Sequence, residues 1–154
     1  MIQTTAQQDE IVMAEALGEA EAAARDGEVP VGAIAWLHGK IVGRGRNRGI
    51  VLHDPTAHAE IQALRAAARC VGNYRLPGLT LYATLEPCAM CAGALLQARA
   101  ARLVYGAHDP KAGAVESRFR LLSDPRLNHR VEIISGVLAE KSQNLLRQFF
   151  EERR

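Results

Sequence analysis

The sequence predicts a single α/β layered domain, and three observations predict it. Through the middle of the chain, strand-length apolar runs alternate with helix-period segments in the order strand, helix, strand, helix, strand. Ahead of them, His38-Gly39 splits an apolar stretch in the manner of a hairpin turn. The 154 residues suit one domain, 1–154, with no internal repeat or linker, and that length buries roughly 70% of the unfolded surface.

Taken in order, residues 9–25 read as an amphipathic helix ended by Asp26-Gly27. "VGAIAWL" (31–37) and "KIVGRGRN" (40–47) are the two hairpin strands. "GIVLHDPTA" is a loop in which Asp54-Pro55-Thr56 prepares a helix start. "HAEIQALRAAARC" is helical, with Ile61, Leu64, Ala68 and Val71 on one face. Asn73 to Gly78 is the turn before "LTLYATL" (79–85), a strand. Pro87 is expected at the first position of a helix reaching about Gln97. "RLVYGA" (102–107) is a strand, "HDPKAGA" a turn-rich loop and "VEIISG" (131–136) a short strand. A last helix, roughly 138–152, brings Leu145, Leu146, Phe149 and Phe150 together, both phenylalanines toward the core. These patterns leave strand order open.

No apolar run approaches the ~20 residues of a membrane span, and "MIQTTAQQDE" lacks the features of a signal peptide. A cytoplasmic location is expected, where Cys70, Cys88 and Cys91 are poor material for disulfides. Net charge is only +2 but uneven: residues 1–30 hold seven acids and one arginine, residues 38–76 seven bases and two acids. Sixteen of the nineteen basic residues are arginine, the side chain suited to bidentate phosphate contacts. That balance permits a nucleic-acid partner without requiring one. Cys70, late in its helix, reads as a small buried residue.

The chemistry concentrates in two short segments. In "LEPCAMC", Cys88 and Cys91 stand three apart at a helix start, on nearly one face. N–H groups at a helix N-terminus favour the thiolate, the form that binds metal. A redox dithiol uses the same physics, so the pair alone leaves that alternative open. Thirty residues upstream stands His58-Ala59-Glu60, also at the mouth of a helix. On a regular helix His58 and Glu60 point about 200° apart; they converge only if His58 sits at the very end. One histidine and two thiolates make three zinc ligands, the number typical of a catalytic site. A nearby carboxylate that is not a ligand can then exchange protons. Cys70, His53, His108 and His129 are the candidates for a fourth, structural ligand.

H-x-E followed by P-C-x-x-C is the signature of zinc-dependent nucleobase deaminases. With "GEVPVGAI", "HAEIQAL", "TLEPCAMCAGALL", "GAHDPKAGA" and "NHRVEIISGVLAEKSQNLLRQFFEERR", the chain resembles the bacterial tRNA-specific adenosine deaminases from about residue 9 onward. The resemblance implies a three-layer α/β/α cytidine-deaminase-like fold, with a central mixed sheet of about five strands flanked by helices. It implies one zinc ion per chain on His58, Cys88 and Cys91, with Glu60 shuttling protons, and no organic cofactor. It further implies substrate contacts from Asn47, Ala59 and Asp109, a homodimer, and the tRNA anticodon loop as partner, where the wobble adenosine becomes inosine.

Along "RGRNR", Arg44, Arg46 and Arg48 alternate to one face and Asn47 to the other. Those arginines, with Arg153 and Arg154, are expected phosphate contacts. The family pattern is departed from at His108, where a basic residue is frequent, and at Glu116, where a small one is usual. The nearest alternative is a deaminase of a free base or nucleotide, namely guanine, cytidine or deoxycytidylate. A binding protein with a structural zinc and a thiol oxidoreductase are the rivals from other classes.

Overall fold

In a computed structural model, residues 3–153 are described, as five α-helices and one five-stranded sheet. Helix α1 spans Thr5–Arg25, four residues more than the hydrophobic periodicity indicates. A capping box adds that turn: the Thr4 hydroxyl accepts from Gln7 N–H at 3.1 Å, and Gln7 Oε1 accepts from Thr4 N–H at 2.8 Å. Strands β1 (Gly32–Leu37) and β2 (Lys40–Arg46) form the hairpin. His38 and Gly39, at φ 52° and 80°, make the turn the strand twist favours.

Helix α2 (Gly49–Leu52) is a single turn inside the segment read as loop. Its N–H groups are satisfied from a distance: buried Glu28 accepts from Ile50 N–H at 3.2 Å and Val51 N–H at 2.9 Å. Then follow α3 (Ala59–Val71), β3 (Thr80–Leu85), α4 (Ala89–Ala98), β4 (Arg102–Ala107), β5 (Glu132–Ile134) and α5 (Ala139–Glu151). Pro87 lies outside α4, contrary to the expectation of a first helical position. Cys88 caps that helix, because its carbonyl accepts the first helical bond from Ala92 while the Pro87 carbonyl is taken by Ala114 N–H.

Strand order is β2-β1-β3-β4-β5. The hairpin side is antiparallel; β3, β4 and β5 run parallel. Alternation along each strand makes two cores. Ala33, Ala35, Leu81, Ala83, Leu103 and Tyr105 face α3 and α4. Ile34, Tyr82 and Val104 face Val12, Met13 and Ala16 of α1, with Leu138 beside α5. The result is the α/β/α sandwich that the resemblance implies.

Helix α3 buries an alanine face beside Leu64, so only part of the face its bulky residues suggest lies inside. Ala59, Ala63 and Ala67 are fully buried, whereas Val71 is 43% exposed. The reason lies in β2: a Cβ on Gly43 or Gly45 would collide with the α3 backbone, so helix and strand touch through alanine and glycine. Cys70 is exposed at the far end of α3, not buried. On α5, Phe149 is buried and Phe150 is 51% exposed, so only the first joins the interior.

Candidate active site

Two helix N-termini meet at one end of the sheet, and each begins on a residue with non-helical backbone. His58 caps α3 at φ −75°, ψ 154°, and Cys88 caps α4 at φ −77°, ψ 179°. Neither spends its side chain on the helix. The first N–H of α3 is satisfied instead by Asn47, whose Oδ1 accepts from Ala59 N–H at 2.9 Å. The imidazole is therefore free to turn to the thiols, with Nδ1 at 3.5 Å from both Cys88 Sγ and Cys91 Sγ.

The three donor atoms lie within 4.8 Å of one another, and no other metal-type group occurs among the described residues. A tetrahedral ion with usual Zn–N and Zn–S bonds separates nitrogen from sulfur by about 3.6 Å. The triad fits zinc. Cys70, His53, His108 and His129 are not part of the group.

Protonation follows from the same packing. Hydrogen bonds from Cys91 and then His58 pull the Cys88 thiol down to about 3. Cys91, hydrogen-bonded to Cys88 and buried, is pushed up. The hydrogen bond to Cys88 raises His58, against the opposing effect of burial. Glu60 is 4% exposed, and burial pushes its carboxyl up to about 7. A carboxyl near neutrality can hold a proton or release one, which a proton shuttle requires.

A cleft of about 520 Å³ opens beside His58, with Glu28, Asn47, Ile50, Phe149 and Arg153 among its walls. Asn47 Nδ2 also donates to the Val29 carbonyl at 3.2 Å, so this side chain ties the end of β2 to the start of α3. Ala59 is fully buried, with its N–H committed to Asn47. Arg153 lies over the Phe149 ring, its guanidinium carbon 3.6 Å from the centroid. Arg154 lies outside the described residues.

Asp109 follows β4, with its carboxylate accepting from the N–H groups of Lys111 and Ala112. Its loop is organised by a residue that sequence reasoning passed over. Glu86 is 2% exposed and accepts from the backbone N–H of Asp109, Val115, Glu116 and Ser117 and from the Ser117 hydroxyl. Burial opposes its charge, but the Ser117 hydroxyl and these N–H groups outweigh burial and hold the carboxyl at about 2. The signal was in "LEPC": an acid between an apolar strand and a proline. The unusual His108 and Glu116 face each other at 3.7 Å, and Tyr105 donates its hydroxyl to Glu116.

Two expected phosphate contacts are engaged elsewhere. Arg44 pairs with Glu15 and Glu19, and Arg46 with Glu19 and Asp26, so the basic strand answers the acidic first helix.

Known proteins resemble this chain in sequence and fold. A family profile described as MafB19-like deaminase matches residues 7–154. A tRNA-specific adenosine deaminase of Haemophilus influenzae is 52% identical over 147 residues, covering 95% of this chain and 85% of that protein. A structure described as one of the tRNA:A34 deaminases that edit A to I at the wobble position superposes at a TM-score of 0.84. It is 48% identical and covers 87% of this chain and 97% of its own. A guanine deaminase of Nitrosomonas europaea superposes at 0.74 with 26% identity, covering 91% of this chain and 83% of its own. On the profile match and the near-complete likeness to the Haemophilus protein, the chain belongs to the deaminase family that includes the tRNA-specific adenosine deaminases.

Proposed function

We propose that this chain hydrolyses adenosine to inosine at the wobble position of a tRNA anticodon, using zinc held by His58, Cys88 and Cys91. The observation that carries the proposal is buried Glu60 beside a three-ligand site, in a chain 52% identical to a tRNA-specific adenosine deaminase. Bound there, zinc supplies Lewis acidity that activates water near neutral pH. Glu60 would take one proton from water as its oxygen bonds to C6 and pass it to the adenine ring nitrogen. It would then take the second proton from the new C6 hydroxyl and pass it to the amino group as the C–N bond breaks, so adenosine and water yield inosine and ammonia. Asn47 lines the cleft and fixes the start of α3 by accepting the Ala59 N–H, which brings both residues to the substrate side of the zinc ligands. Asp109, on the loop set by Glu86, stands beside the incoming strand.

The base reaches such a pocket only by leaving its stack, which costs least in a single-stranded loop. Arg153, beside the cleft, supplies a phosphate contact. A second copy of the chain is the other partner, giving a homodimer. No helix among the described residues is long and apolar enough to cross a membrane, and a tRNA substrate is in keeping with a cytoplasmic location.

Incubation with a wobble-adenosine anticodon stem-loop, alongside free adenosine, cytidine and guanine, tests the assignment. Inosine in the stem-loop, with the free compounds untouched or nearly so, is expected. Equal or faster turnover of guanine or a free nucleoside moves the chain to the small-molecule deaminases.

A further inference from the structure

At the end of α3 and α4 remote from the zinc ligands lies a recess of about 210 Å³, with Tyr74, Arg75, Gln97, Arg99, Asn128 and His129 among its walls. Arg99 follows Cys91 by eight residues, roughly 12 Å of helix, so a group seated here is not the one that reacts. The walls offer guanidinium, amide, imidazole and phenol groups, and no carboxylate. That sets the recess apart from β2, where Arg44 and Arg46 are both answered by acids.

The two arginines are held in place by neutral groups. Arg75 Nε donates to the Tyr74 hydroxyl at 3.2 Å, with the guanidinium 5.7 Å from the ring centroid. Arg99 Nη1 donates to Asn128 Oδ1 at 3.3 Å. His129 Nε2 donates to the Ala100 carbonyl at 2.8 Å. Each guanidinium keeps further N–H donors, and both are oriented before any ligand arrives. Tyr74 is 68% exposed beside them. Two guanidiniums lining one recess, with an aromatic side chain among its walls, match a polynucleotide backbone, phosphate to Arg and sugar or base to ring.

We propose that this recess is a second docking point for the RNA substrate, taking backbone phosphate away from the nucleotide in the zinc-site cleft. The inference rests on the assignment of RNA as substrate. It makes Arg75 and Arg99 affinity determinants without a part in the chemistry.

The test compares the wild-type chain with the Arg75→Gln, Arg99→Gln double variant on full-length tRNA carrying a wobble adenosine. Salt-dependent Kd, single-turnover rate at saturation and zinc content are measured. Expected are a several-fold weaker Kd, a log–log salt slope shallower by about 0.7 for each lost single-strand phosphate contact, and an unchanged saturating rate and zinc content. An unchanged Kd and salt slope would overturn the proposal. So would a shift in oligomeric state with RNA binding intact, which would assign the face to a contact between chains. If the double variant fails to fold, Arg75→Gln alone decides on the same Kd and slope, since among the described residues that side chain bonds only to Tyr74. Wild-type conversion of the wobble adenosine, read in the same assay, reports on the substrate assignment separately.

Discussion

Asn47 and Ala59 stand twelve residues apart, and the side-chain oxygen of one accepts the backbone N–H of the other at 2.9 Å. That bond gives α3 its N-terminal acceptor from outside the helix. His58, which occupies the capping position, is thereby spared for the thiols of Cys88 and Cys91. A strand end thus orients a candidate metal ligand.

Replacing Asn47 by Ala removes both the cap and the bond to Val29. Stability should fall by about 1 kcal/mol, zinc should be held less tightly, and deamination should drop. Asn47→Asp keeps the acceptor and should keep most of the zinc. Denaturant midpoints with competitive chelator titration read both effects; equal zinc affinity in Asn47→Ala and wild type would refute the positioning role.

Glu60→Gln should retain the metal and the fold but lose on the order of 10²-fold or more in single-turnover rate. Zinc content and deamination rate on the same preparation check this. A variant that loses zinc would make Glu60 a ligand, and one that keeps its rate would remove it from the proton path.

Glu86 carries an acid-stability signature. Its folded value, about 2, lies below the ordinary 4.5, so its contribution is complete above about pH 4.5 and is lost as pH falls toward 2. A depression of that size corresponds to on the order of 3 kcal/mol. Glu86→Gln should therefore be less stable at neutral pH, with a flatter loss of stability between those two pH values. Loss of zinc in acid affects both proteins alike. Parallel curves for the two would show that the carboxylate is not charged in the loop.

Charge reversal separates the arginines of β2 from Arg153, which follows α5. Arg44→Glu should leave the salt dependence of tRNA binding nearly unchanged, because its side chain faces Glu15 and Glu19. Arg153→Glu should weaken binding and flatten the log–log slope by about 0.7. The opposite ranking would return the phosphate track to β2.

What the sequence makes legible is what local chemistry encodes. HAE and PCAMC carry their ligands, spacing and helix starts within a few residues, and His38-Gly39 announces its hairpin. Features set by distant partners are not legible in this way. Helix α2 depends on Glu28, more than twenty residues earlier, and the loop at 109–117 depends on Glu86. The buried face of α3 depends on Gly43 and Gly45, against which Ala59, Ala63 and Ala67 pack, with Leu64 buried beside them and Val71 exposed. Arg44 and Arg46 read as a free basic stripe until α1 is laid across the sheet. Capping polar residues, such as Thr4 and Gln7, extend a helix without altering its apolar period.

Elemental analysis of protein purified without chelator reads directly whether His58, Cys88 and Cys91 together hold one zinc ion. The wild-type chain should carry about one zinc per chain, and the Cys88→Ala, Cys91→Ala double variant essentially none. Full zinc retention by a folded double variant would exclude this ligand set.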